Sequence, residues 1–159
     1  MNRWVALMAI VMTAGACGSA DTGASPSPSP TPAVTTPPST PSPSALVFKL
    51  IGVGTAKASG TITVTTQAGS LTVELKITGL QGASIHVSHI HIGTCANRGS
   101  ILRALNPVVA DSQGDADVRS TVNFKYPPAS GHVYVVVHVG PDMLTRTNAQ
   151  YLLCGNLFK

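Results

Sequence analysis

Hydrophobic and polar residues alternate along several short segments in the last two-thirds of the chain. The clearest is 70–78 (SLTVELKIT), in which Leu, Val, Leu and Ile occupy every second position between Thr, Glu and Lys. A period of two is typical of a strand with one buried face. Similar strands are predicted at 45–52, 60–65, 84–92, 116–124, 132–139 and 151–158.

The spacing of these segments indicates the fold class. They lie about ten residues apart, Gly, Pro, Asn and Asp stand between them, and no stretch keeps a helical period of 3.6. The sequence therefore predicts an all-β fold, an antiparallel sandwich or barrel, within residues 45–159.

The N-terminus has a different pattern. Arg3 precedes an apolar run, small residues follow, and Cys17 comes next. This order is typical of a secretory signal, and the run is too short for a bilayer span. Cys17 after small residues resembles the bacterial lipobox, with Ala14 in place of the usual leucine. We expect a lipoprotein signal peptide at 1–16, lipidation of Cys17, and an extracytoplasmic protein anchored to the cell membrane. Ordinary cleavage near Ala16 or Ala20 is the alternative.

Residues 17–44 consist almost wholly of Ser, Pro, Thr and Ala. Such a segment buries no core, so we expect a disordered tether. At about 3 Å per residue, the stretch 21–44 within this segment has a reach on the order of 70 Å. It either lifts the domain away from a membrane or is a linker with no length requirement.

Charge excludes one class of partner. The chain has ten Lys and Arg against six Asp and Glu, scattered rather than clustered. Because no basic run interleaves with aromatic residues, we expect no nucleic-acid binding.

The cysteines predict a disulfide. If Cys17 is lipidated, Cys95 and Cys154 remain, and disulfides persist in exported proteins. A bridge between them closes a loop of about 60 residues, which stabilises the domain by roughly 4 kcal/mol in the chain-entropy model.

Three histidines are candidate metal ligands. His89 and His91 are two apart in a predicted strand, so both rings leave the same face. His138 ends another apolar strand. If the two strands lie side by side, three imidazoles meet, which suits copper or zinc, with copper favoured by the affinity order. The alternative is a pair of polar residues on a solvated strand. His132 lies too far along its strand to join them.

Longer stretches resemble a known family. The stretch GTITVT…LTVELKITGLQGASIHVSHIHIGTC is similar to the strands that lead to the first copper ligands of copper/zinc superoxide dismutases. ADSQGDADV, YVVVHVGPD and LLCGNLF resemble later segments of that family, in the same order. The resemblance covers roughly 60–158.

The resemblance implies a Greek-key β-barrel with His89, His91 and His138 as copper ligands. It also implies that His86 is a supporting histidine, which hydrogen-bonds behind the ligands and binds no metal. The bridge between Cys95 and Cys154 falls where the family places its own.

The chain also departs from the family. No histidine lies between His91 and His132, where the bridging histidine and the zinc ligands belong, so we do not expect zinc. The position of the family's guiding arginine is Tyr151, and Arg146 is out of register. A three-histidine copper can cycle between oxidation states and meet a small anion, but we expect reduced or absent dismutation.

Three interpretations of function stay open. The first is a copper-only dismutase at the cell surface, and the second is a copper-buffering lipoprotein. The third is a non-catalytic binding or scaffold module, since chordin-type (CHRD) domains also resemble the sequence around His89 to Gly93. The sequence identifies no protein partner.

Overall fold

The computed structural model describes residues 44–158, which form ten strands and the turns between them. The predicted signal peptide, Cys17 and all but the last residue of the predicted tether lie outside the described residues. The strands are β1 (Ala45–Gly52), β2 (Ser59–Gln67), β3 (Ser70–Thr78), β4 (Ile85–His86), β5 (Ser88–Gly93), β6 (Arg98–Ala104), β7 (Val108–Val109), β8 (Ala116–Val122), β9 (Val133–His138) and β10 (Tyr151–Asn156). Within 44–158, no helix is long and apolar enough to cross a membrane.

Eight strands form one antiparallel sheet in the order β6-β5-β9-β10-β1-β2-β3-β8. The chain crosses from β3 to β5 near the other end of the sheet, and β8 returns to pair with β3. These long crossings are typical of a Greek key. The two edges are joined by side chains, because Arg103 donates to the Asn123 carbonyl and Asn106 donates to the Arg119 carbonyl. The predicted all-β barrel or sandwich is confirmed.

The inner face of the curled sheet holds the core. Alternate residues of β3 are fully buried, as their period of two predicts. They pack against inward residues of β2, β5, β9 and β10. The core includes Ile62, Val64, Leu71, Val73, Leu75, Ile77, Ile90, Val135, Val137 and Leu153.

β9 is unusual because all six of its residues are buried. Its inward residues join the core, and its outward Tyr134 and Val136 pack in a second cluster with Cys154, Cys95 and Tyr151. A covered outer face of this kind gives the barrel a second buried layer, and the histidines lie in it.

Two strands were not predicted. β7 has only two residues, and β6 (RGSILRA) is exposed along nearly all its length. Because β6 is an edge strand that contributes only the partly buried Leu102 to the core, it shows no alternation of hydrophobic and polar residues.

Candidate metal centre

Strand pairing brings the three candidate ligands together. β5 pairs with β9 in antiparallel register, with His89 opposite Val136 and His91 opposite Tyr134. Since His138 is two residues beyond Val136, it is the diagonal neighbour of His89 on the same face. The predicted juxtaposition of two distant strands is therefore what the structure has.

The rings form a compact triangle. The ring centroids of His89 and His91 are 6.0 Å apart, those of His89 and His138 are 5.1 Å apart, and those of His91 and His138 are 5.8 Å apart. One ring nitrogen from each residue lies within 4.8 Å of the other two. Two bonds of about 2.0–2.1 Å to one ion span about 4 Å, so a small inward rotation of the rings suffices for shared binding.

Backbone carbonyls decide which nitrogens are free. Nδ1 of His91 donates to the Gly99 carbonyl at 3.0 Å, and Nδ1 of His138 donates to the Ala149 carbonyl at 2.9 Å. Each ring therefore keeps its lone pair on Nε2. His89 differs, because its Nδ1 is the buried nitrogen.

The same three nitrogens lack any partner. Nδ1 of His89 and Nε2 of His91 and His138 are buried without a hydrogen bond, and no other side-chain nitrogen or oxygen in residues 44–158 is in that state. Buried polar atoms are normally paired, and an unpaired one costs free energy. Three converging lone pairs of neutral imidazole fit a copper or zinc ion.

Burial also keeps the site neutral. The pKa of His89 is lowered from 6.5 to about 4, mainly by burial and also by repulsion from the neighbouring His138 and His91. Burial likewise lowers the pKa of His138, although the hydrogen bond to Ala149 opposes this effect. At neutral pH these two rings carry lone pairs rather than protons, which is the state that metal binding requires.

His86 hydrogen-bonds to the backbone of the segment that carries His138. Its Nδ1 lies 3.0 Å from the His138 carbonyl and 2.9 Å from the Val139 carbonyl, and its Nε2 lies 2.8 Å from Oγ of Ser84. It therefore holds the backbone of His138 and has no hydrogen bond to a ligand ring. His132 lies outside the cluster, with its ring 4.1 Å from that of Phe158.

The predicted disulfide is confirmed. Cys95 and Cys154 are bonded, with Cα atoms 5.9 Å apart and a sequence separation of 59. The backbone N–H of Cys95 also donates to the Asn156 side chain at 2.9 Å. The disulfide links the turn between β5 and β6 to β10. This turn leads directly into β6, which carries Gly99.

Two tyrosines at the site were missed. Tyr134 is opposite His91, with ring centroids 5.2 Å apart, and its hydroxyl lies 2.9 Å from that of Tyr151. The ring of Tyr151 is 5.3 Å from that of His138. The parity of Tyr134 with His138 could have placed it on this face. Tyr151 was named only as the position of the family's guiding arginine, and strand parity alone misplaces it, because a bulge between Tyr151 and Leu153 reverses its side.

Arg98 completes the surroundings of the site. Its guanidinium carbon lies 4.2 Å from the centroid of the Tyr151 ring, a cation–π contact. Arg98 comes from β6, the strand that the sequence did not predict. Burial and the hydrogen bond with Tyr134 raise the pKa of Tyr151 above its usual value, so its phenol is protonated at neutral pH.

Comparisons with known proteins agree on the fold. The crystal structure of a SOD-like protein from Bacillus subtilis has a TM-score of 0.55 and 16% identity, over 70% of this chain and 97% of that one. A double mutant of that protein has a TM-score of 0.57 and 15% identity, over 71% and 97%. The expected superoxide dismutase-like fold is confirmed at this level.

Sequence comparison gives the family. No curated protein matches the chain significantly. The family model described as the CHRD domain matches residues 31–141, more than half of the chain, and includes His89, His91 and His138. The chain belongs to the CHRD domain family.

Proposed function

We propose that this protein is a copper-binding, superoxide dismutase-like module that is exported and held at the cell membrane by a lipid on Cys17. The observation that carries the copper site is the set of three buried ring nitrogens, each without a hydrogen-bond partner, that face one another. A neutral three-imidazole donor set favours copper over the other common divalent ions.

The chain's own groups prepare such a site. The Gly99 and Ala149 carbonyls fix the tautomers of His91 and His138, and His86 fixes the backbone of His138. Hydrogen bonds of this kind orient ligands and raise their affinity for metal. The exposed fraction is 4% for His91 and 1% for His138, so protein surrounds most of the site and excludes water.

Copper, when bound, supplies one-electron chemistry that can oxidise one superoxide anion and reduce another. The half-buried His89 is the most exposed of the three rings, so the site is open to solvent on its side. We expect slow proton delivery, because the raised pKa of Tyr151 makes it a weak acid and the family's bridging histidine has no counterpart between His91 and His132. We therefore propose copper binding first and dismutation as a slower activity of the same site.

The CHRD family match favours a second candidate, a non-catalytic binding or scaffold module. One experiment separates the two. The full-length chain is loaded with copper and dialysed, and metal content and superoxide decay are then measured on the same sample. Retained copper with accelerated decay indicates a dismutase, and retained copper without it indicates a copper-holding protein. Loss of copper from folded protein contradicts the proposal and favours the scaffold.

Matched variants make the test specific. His89→Gln and His138→Gln each remove one donor, whereas His132→Gln removes a histidine that packs on Phe158 outside the cluster. We expect only the first two to lose copper. Because His138 is buried, His138→Gln could lose copper by unfolding, and circular dichroism would detect such unfolding. His89 is less buried, so a loss of copper in folded His89→Gln would report the missing ligand alone.

Anchoring is tested separately. Cys17→Ser removes the thiol that would carry lipid, and we expect it to move the protein from the membrane fraction to the soluble fraction. Unchanged fractionation would contradict lipidation and leave the copper site untouched.

A further inference from the structure

A polar cleft is lined in part by Tyr151, whose ring lies 5.3 Å from that of His138. Its volume is about 410 Å³, and its lining residues are Val53, Gly54, Thr55, Arg98, Gln150 and Tyr151. It is built from the turn after β1, the first residue of β6 and the start of β10, so three separate parts of the chain meet there.

The lining of this cleft carries positive charge only. Arg98 is the single cation of the lining, and no carboxylate contributes to it. The ion pairs found within residues 44–158 involve Lys76 and Arg119, and none involves Arg98. The guanidinium is instead held against the Tyr151 ring. A positive group that is positioned but has no counter-charge favours an anion in the adjoining space.

The donors are also of the right type. A guanidinium presents five N–H donors in a planar fork that grips two acceptor atoms at once. Gln150 adds an amide and Thr55 a hydroxyl to the same lining. Charge-assisted hydrogen bonds from such groups are stronger than neutral ones.

We propose that Arg98, with Gln150 and Thr55, forms a binding site for a small inorganic anion next to the three-histidine cluster. Binding in the cleft needs no metal. The further role of the site, to bring an anionic substrate close to the metal, rests on the proposed function. Tyr151 connects the two sites, since the Arg98 guanidinium lies 4.2 Å from the centroid of its ring and the His138 ring lies 5.3 Å from the same centroid.

The test uses the metal-free, full-length chain, isotope-labelled for NMR and titrated with sodium azide at constant ionic strength. We expect saturable shifts of the Arg98 Nε–H, the Gln150 side-chain amide and the Gly54 backbone amide. Constant ionic strength removes general screening, which would otherwise act on every exposed charge.

Three variants make the assignment specific. Arg98→Gln removes the charge, and we expect azide affinity to fall about tenfold or more. Arg98→Lys keeps the charge without the planar fork, so we expect an intermediate affinity. Arg146→Gln removes an exposed charge outside the cleft and should bind azide like the unchanged chain. Because Arg98 is exposed, its replacement should leave the fold intact.

Shifts that do not saturate, or equal affinity in Arg98→Gln and the unchanged chain, would overturn the anion site. Either result leaves the copper proposal standing, since no metal is present in the titration. Conversely, a chain that binds azide but retains no copper would keep the anion site and remove its link to metal chemistry.

Discussion

The carbonyl oxygen of Gly99 accepts the Nδ1–H of His91 at 3.0 Å. Gly99 belongs to β6, an exposed edge strand that contributes almost nothing to the core. This strand nevertheless decides which nitrogen of His91 faces the other two rings. The backbone N–H of Gly99 also donates to the Tyr134 hydroxyl at 3.2 Å. Gly99 therefore hydrogen-bonds both to the candidate ligand His91 and to the tyrosine beside it.

Gly99→Ala should therefore weaken copper binding. An added Cβ would lie 2.0 Å from the Ile92 carbonyl oxygen, so β6 must move away from β5 and carry the Gly99 carbonyl with it. Loss of a hydrogen bond that orients a ligand typically lowers metal affinity by about 10–100-fold. Copper titration against a competing chelator measures the change, with Ser100→Ala as the neighbouring control. Equal affinity in both variants would show that His91 needs no such support.

The metal-free chain should lose stability in mild acid. The pKa of His89 is about 4 in the folded state against 6.5 for an ordinary histidine, so between these values the unfolded chain binds more protons. Stability is then complete above pH 6.5 and falls as the pH drops towards 4. A shift of this size sets an upper limit of about 3 kcal/mol, and partial exposure of His89 reduces the expected loss to about 2 kcal/mol.

Urea unfolding at pH 7.5 and pH 4.5 measures this loss. His89→Gln carries no titrating ring, so its free energy of unfolding should depend less on pH, whereas His132→Gln should behave like the unchanged chain. An equal fall in all three proteins would assign the acid sensitivity to other groups.

Removing the disulfide should destabilise the domain by about 4 kcal/mol. The bond between Cys95 and Cys154 closes a long loop, and its loss restores freedom to the unfolded chain. Urea unfolding of the chain with both Cys95 and Cys154 replaced by Ser, and of the unchanged chain, measures this difference in the free energy of unfolding. A difference below about 1 kcal/mol would mean that the surrounding strands hold the bridge region without it.

The loop between β9 and β10 should also control metal affinity. Asn148 donates its side-chain amide to Asp142 at 2.9 Å, and this bond lowers the pKa of the Asp142 carboxyl. The Asn148 carbonyl accepts the N–H of Gly140 at 3.1 Å, and the next residue supplies the carbonyl that orients His138.

Asn148→Ala should lower copper affinity by about tenfold while changing the unfolding midpoint little, because the bond to Asp142 lies within one surface loop and is only partly buried. Arg146→Ala, in the same loop but without a hydrogen bond in this network, is the matched control. A weakened copper site in both variants would point to general loosening of the loop.

Local sequence patterns were sufficient for most of the fold. Seven predicted segments each contain or overlap a strand of the structure. A strand with one buried face alternates hydrophobic and polar residues, and this alternation is visible in the sequence. The largely exposed β6 has no such alternation. Parity likewise put His89 and His91 on one face of β5, and the cysteine count led to the bridge between Cys95 and Cys154.

The same local rule failed at Tyr151. Alternation from Leu153 would turn its side chain into the core, but the bulge in β10 turns it outward to His138. A bulge depends on how two strands meet, so the sequence of one strand does not reveal it. Arg98 was missed for a related reason, since its position over Tyr151 depends on the pairing of β6 with β5.

The sequence by itself determined the strands, the faces of their side chains and the identity of three histidines able to bind metal, because these follow from covalent geometry over a few residues. Tertiary structure decided that β5 lies beside β9, that His89 turns Nδ1 inward while His91 and His138 turn Nε2, and that Tyr151 and Arg98 border the site. Those outcomes require contacts between residues far apart in the chain, and only the packed sheet fixes which carbonyl reaches which ring.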